Sequence, residues 1–163
     1  MSLRSELIGL DSHLWEDELV RLRPISCEKD IIYATIDCAL KDGQQELVNP
    51  AWFSICRAYL SPEDNYPCLI CTNNGEPIGF ISLCKWLGEG DAYSWSFFID
   101  ARHQGKGYGR HAALVAVRLL KSASGKAIKL AIEEDNGAAQ RLYESLGFKL
   151  LPERDGDDLV YSL

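Results

Sequence analysis

The sequence predicts one mixed α/β domain with strands and helices in the order β-α-α-β-β-β-α-β-α-β-β. Three observations carry that reading. Asn73-Asn74-Gly75 stands between two strand-like runs and marks a tight antiparallel turn. Gly105, Gly107 and Gly109 fall within five residues, after one strand-like run and before a long amphipathic stretch. Further on, Asn136 and Gly147 bracket a second helical pattern, and Asp155-Gly156 marks a final hairpin turn.

Taken in order, Val20 to Ile25 reads as the first strand, broken by Pro24 and Ser26. Glu28 to Leu40 has helical spacing, with Ile31, Ile32, Thr35, Ile36 and Ala39 on one side and Ser26 or Cys27 at the cap. A short helix after Asn49-Pro50 carries Trp52, Phe53, Ile55, Cys56 and Tyr59. Tyr66–Thr72 and Pro77–Leu87 are the arms of the hairpin, and Ala92–Ile99 is the strand that runs into the glycines. Arg110 to Lys121 forms a helix whose apolar face holds Ala112, Ala113, Val115, Ala116, Leu119 and Leu120. Ile128–Ile132 is a strand, Asn136 caps a helix reaching Leu146, and Gly147 stops it. The opening Met-Ser-Leu reads as residues added to the natural chain and is expected to carry no function.

The 163 residues suit a single domain, and 47% hydrophobic with 25% charged content is ordinary for a globular chain. No apolar run approaches the roughly 18 residues of a membrane span. Arg4, Glu6 and Asp11 interrupt any apolar leader, so a cytoplasmic location is expected, with no membrane partner. The net charge of −7 disfavours nucleic-acid binding, which needs a basic face, and steers cations inward instead. Six cysteines include one close pair, Cys68 and Cys71, with no second pair or nearby histidine to complete a metal site. On a strand those two thiols point to opposite faces, so buried reduced cysteines and no metal are expected.

A glycine turn between a strand and a helix can present main-chain N–H groups to phosphate. Gly107-Tyr-Gly109-Arg-His-Ala112 fits a dinucleotide fingerprint, which keeps an oxidoreductase in view. Against it, the loop follows about a hundred residues with antiparallel signals, and no second βαβ half is visible. No Gly-Lys-Ser/Thr follows, which excludes a P-loop.

Gln104-x-x-Gly107-x-Gly109 resembles the pyrophosphate loop of the GNAT acetyltransferases. Asn136-x-x-Ala139-x-x-Leu142-Tyr143-x-x-x-Gly147-Phe148 matches a second motif of that family at its spacing. Val48-x-Pro50-x-x-x-Ser54-Ile55, and Phe98-Ile99-Asp100 leading into Gln104-Gly105-Lys106-Gly107-Tyr108-Gly109, resemble its bacterial spermine/spermidine acetyltransferase branch. The likeness runs from about Val20 onward. It implies the GNAT fold, a mixed, mostly antiparallel central sheet flanked by helices. It also implies acetyl transfer from acetyl-CoA to a primary amine, a polyamine above all, by direct attack in a ternary complex. The non-polyamine options are another small amine, a protein amine, or a silent CoA-binding sensor. A homodimer is left open.

In the family a main-chain N–H near Phe98 polarises the acetyl carbonyl, and pantetheine runs along Ile99 and Asp100 with Asn136 on one of its amides. The resemblance places the pyrophosphate on Gln104, Gly105, Lys106, Gly107, Tyr108, Gly109 and Arg110, with charge from Lys106 and Arg110. Tyr143 is its general acid, a phenol that stays protonated at neutral pH and can donate to a thiolate. Ala139, Leu142, Tyr143 and Leu146 also form one helical stripe, so simple packing competes with that role. The family's glutamate on the strand before the loop falls near Tyr93, where no carboxylate stands. Glu89, Asp91, Glu133 and Glu134 are therefore the base candidates. They join Glu46, Glu63, Asp64 and Asp135 as groups able to hold an acceptor's other cations. His103 is expected to be a solvated loop residue.

Overall fold

The computed structural model describes residues 1–163. Seven strands form one sheet: β1 (Val20–Pro24), β2 (Asn65–Thr72), β3 (Pro77–Lys85), β4 (Ala92–Ile99), β5 (Ala127–Ile132), β6 (Lys149–Asp155) and β7 (Asp158–Ser162). Their spatial order is β1-β2-β3-β4-β5-β7-β6, and every neighbouring pair is antiparallel except β4 with β5. The helices are α1 (Leu3–Ile8), α2 (Glu28–Ile32), α3 (Ala51–Leu60), α4 (Tyr108–Ser124) and α5 (Gly137–Ser145).

Alternation along the strands builds a core on each face of the sheet. Cys68, Ile70, Tyr93, Trp95 and Ile99 pack with α1, α4 and α5 on one side. Leu69, Cys71, Phe80 and Phe98 pack with Ala34 and Ala51 on the other. Cys68 and Cys71 thus sit on opposite faces, both buried, but Cys27 and Cys56 are exposed, against the expectation of buried thiols.

Two elements depart from the sequence reading. The opening residues, given no weight, form α1, and its Leu3 and Leu7 are fully buried against α4. Asn-free and short, the segment has only Ser2 at its cap as a signal; Ser2 accepts from the N–H of Ser5. The expected helix over Glu28–Leu40 is α2 followed by a π-helical turn, Tyr33–Asp37. Its isoleucine stripe does not face the core: Ile31, Ile32 and Ile36 are exposed, and Asp30 and Ala34 are the buried residues. An ion pair buried at its carboxylate end explains the choice of face. Arg23 on β1 grips Asp30 through two hydrogen bonds of 3.0 and 2.9 Å, and this holds the carboxyl at about 2.

Gly79 allows β3 and β4 to meet closely. A Cβ there would lie 2.5 Å from the carbonyl oxygen of Phe98 and 3.2 Å from the Cα of Ile99, both main chain. Gly79→Ala is expected to cost about 1–3 kcal/mol in denaturant unfolding, because backbone cannot move aside as a side chain would. Wild-type stability in that variant would show that the strands can separate freely.

Candidate active site

The parallel pair is the gap in the sheet. β4 and β5 pair only at Ala92 with Ala127 and at Tyr93 with Ile128, then diverge. A cleft of about 540 Å³ opens between their C-terminal ends. Trp95 to Ile99 line one wall, Leu130 to Glu133 the other, and the glycine loop with α5 closes the end.

Unpaired strand edges must find partners elsewhere. Ladder parity decides which edges these are. The N–H of Asp100 donates to Ile78 and that of Trp86 to Ala92, in an unbroken β3–β4 register. Even-numbered β4 residues therefore bond to β3, and odd-numbered ones turn their main chain towards β5. Phe98, the expected acetyl-polarising donor, directs its N–H to Phe80 instead. Phe97 and Ile99 present theirs to the cleft. Sequence spacing alone could not fix this parity; it needs the register of β3.

The loop is built for close approach. Gly105 and Gly107 have φ of +78° and +87°, and a Cβ on either would meet nothing within 4 Å. Gly107 is the N-cap of the 17-residue α4, whose first N–H groups and dipole point out of the helix end. Gln104, Gly105, Gly107, Tyr108 and Gly109 all line the cleft. Gln104 does so chiefly as a strut: its amide exchanges hydrogen bonds of 3.1 and 2.8 Å with Gln44 and donates to the carbonyl of Ile99. Lys106 and Arg110 are exposed and lie outside the lining; Arg110 bonds to Ser145 on α5. Asp100 is fully buried and outside it too. Its carboxylate caps the turn Ala101–His103, and the bonded Arg102 guanidinium keeps it below the usual carboxylate range.

On the α5 side, Asn136 uses Oδ1 to cap the helix at Ala139, which leaves its Nδ2 free to donate into the cleft. Tyr143 is buried yet lines the cleft, and its hydroxyl accepts from Trp95 Nε1 at 3.2 Å. Burial pushes its phenol well above the ordinary value, with the Trp95 bond opposing, so it is protonated at any working pH.

Of the four base candidates only Glu133 reaches the cleft. Glu89 and Asp91 sit outside it, before the first residue of β4, where Asp91 pairs with Lys126 at 3.1 Å. Glu134 pairs with Arg154 at the exposed surface. Tyr93 turns away from the cleft and bonds to Glu6 of α1. His103 is half-buried, lines the cleft and faces Glu76 at 3.7 Å, so it is not the solvated residue expected. The cleft also gains two carboxylates that no motif marked, Asp155 and Asp158, brought there by the last hairpin. Burial, with the like charges of Asp155 and Asp157, raises the Asp158 carboxyl above its ordinary value.

A splayed parallel pair, a glycine loop at a helix N-terminus and a buried tyrosine thus meet at one cleft. The chain belongs to the acetyltransferase (GNAT) family, whose model matches residues 32–148. Members of the family use acetyl-CoA. The L-methionine sulfoximine/L-methionine sulfone acetyltransferase of Salmonella typhimurium is 38% identical over 89 residues, covering 51% of this chain and 50% of the relative. The mycothiol acetyltransferase of Nocardiopsis dassonvillei is 44% identical over 77 residues, 47% of this chain and 19% of the relative. The chain thus spans half or less of the length of these curated relatives. Mycobacterium smegmatis RimJ in complex with CoA-disulfide shares the fold, with a TM-score of 0.67 at 19% identity over 92% of this chain and 88% of that one. No helix is long and apolar enough to cross a membrane.

Proposed function

We propose that the chain transfers the acetyl group of acetyl-CoA to a primary amine of a polycationic small molecule such as spermidine. One observation carries the choice of acceptor. Glu46, Glu133, Asp155 and Asp158 line the cleft, and no lysine or arginine does. An α-amino acid, the acceptor class named for the Salmonella relative, would bring a carboxylate into that negative field. A polyamine's ammonium groups, costly to desolvate alone, would be matched by these acidic side chains.

The residues fit acetyl-CoA by three features: two glycines open to a ligand, free main-chain edges on β4 and β5, and a buried tyrosine whose proton has no acceptor within the protein. Acetyl-CoA supplies the reactive thioester. The loop N–H groups and the α4 N-terminus hold its pyrophosphate, and Asn136 Nδ2 an amide of its arm. That arm would take the place of the missing strand along the Phe97 and Ile99 main chains, one of whose N–H groups would stabilise the developing oxyanion. Asp158, which lines the cleft as Glu133 does, takes a proton from the acceptor's ammonium directly or through water, and the neutral amine then attacks the thioester carbonyl. The raised carboxyl of Asp158 brings it nearer to that task than an ordinary aspartate. Tyr143 Oη gives its proton to the departing sulfur and is restored by the second proton that the nitrogen loses as the amide forms.

The test is an acceptor panel followed by free-thiol release. Spermidine is expected to exceed L-methionine derivatives and neutral monoamines in kcat/KM, and its advantage should shrink with salt as steering is screened. Its rate should rise with pH while neutral amine is scarce, since an alkylamine near 10.4 is mostly protonated at neutral pH. Glu133→Lys should raise KM for spermidine more than for a monoamine, whereas Glu134→Lys, outside the cleft, should leave it near wild type. An amino acid acetylated far better than any polyamine would refute the acceptor assignment and leave the acetyl-CoA reading standing.

A further inference from the structure

Trp95 makes the one hydrogen bond to the hydroxyl of the proposed acid. An indole N–H only donates, so at 3.2 Å from Trp95 Nε1 the Tyr143 oxygen is the acceptor and keeps its own proton unused. No protein group accepts that proton. Both side chains are more than nine-tenths buried, where a phenol donor without a partner is costly. The rings are fixed by their neighbours. Trp95 meets Phe148 edge-on at 5.8 Å, and Tyr143 lies 5.5 Å from the same Phe148. Trp95 is on β4, on the face turned to α5, beside the main-chain edge that opens into the cleft.

We propose that Trp95 is a positioning residue: its indole N–H occupies one lone pair of Tyr143 Oη and thereby turns the phenol proton into the gap between β4 and β5, where sulfur must be protonated. The inference rests on Tyr143 as the general acid. A hydroxyl rotor is otherwise free to turn, and burial alone does not select its direction. Trp95 adds the selection, and as a donor it also offsets part of the rise that burial imposes on the phenol. The indole itself transfers no proton.

The experiment is a double-mutant cycle on kcat with acetyl-CoA and spermidine. Trp95→Phe keeps an aromatic ring and removes the donor. It is expected to lower kcat about tenfold, the worth of one buried hydrogen bond in rate, with KM for acetyl-CoA unchanged. In a Tyr143→Phe background the same change should lower kcat no further. An equal loss in both backgrounds would mean that Trp95 only packs, and no loss in either would overturn the proposal outright. Should Trp95→Phe fail to fold, 3-benzothienylalanine at position 95 replaces the N–H with sulfur at nearly the same shape, and the same two outcomes apply. Tyr143→Phe measured alone separates the two claims: near-normal turnover there removes the acid and this inference with it, whereas a large loss there with none in Trp95→Phe removes only the inference.

Discussion

Tyr143→Phe is expected to lower turnover by about 10²–10⁴-fold, the range general acid catalysis covers, while acetyl-CoA affinity holds and stability falls only by the one hydrogen bond lost. The prediction is large because the substitution is so selective. Phenylalanine keeps the ring that packs between Trp95, Phe97 and Phe148 and deletes only the oxygen. The deleted oxygen receives one hydrogen bond, from Trp95, so the stability cost is confined to that lost acceptor, about 1–3 kcal/mol at most. Single-turnover thiol release with saturating acetyl-CoA measures the chemical step. Turnover near wild type in this variant would mean that solvent protonates the thiolate and that Tyr143 is a packing residue.

Gly107→Val is expected to abolish the rise in Tm that acetyl-CoA gives, since a ligand bound only by the folded chain stabilises it. At φ of +87° a β-branched residue is strained by about 1–3 kcal/mol, and its Cβ would project into the open side from which phosphate must approach. The same helix supplies its own control. Gly125, at the other end of α4, has φ of +68° and equally open surroundings. Gly125→Val should lose similar stability and retain the full acetyl-CoA shift. NADH should shift neither the wild type nor the variants. Loss of the shift in both glycine variants would show that strain in α4, not the loop surface, controls binding.

The parts of this site that were legible in the sequence are those set by local backbone chemistry. Gly105 and Gly107, the Asn136 cap and the Gly147 stop sit where turn and capping rules put them, and Gly147 does adopt φ of +94°, whereas Gly109 lies inside α4 and not in the turn. The hairpin at Asn73-Asn74-Gly75 and the strand Ala92–Ile99 follow from the same rules. What stayed hidden depends on contacts between distant residues. The turn of Phe98 towards β3 follows from the register with Phe80, eighteen positions earlier in the chain. The exposed face of α2 follows from Arg23 reaching Asp30, which outweighs an isoleucine stripe that looks like a core face. Asp155 and Asp158 belong to an ordinary-looking turn, and only the β5–β7–β6 pairing carries that turn to the cleft. Glu89 and Asp91 were near β4 in sequence, but at the end opposite to the glycine loop.

The most direct test of the central claim is mass analysis of spermidine after incubation with acetyl-CoA and the purified chain, with released thiol counted in the same sample. The account predicts spermidine carrying one acetyl group per thiol released, at a rate that Tyr143→Phe suppresses. Acetyl-CoA that stabilises the chain yet releases no thiol above spontaneous hydrolysis, with every amine offered, would contradict it and mark a CoA-binding sensor instead.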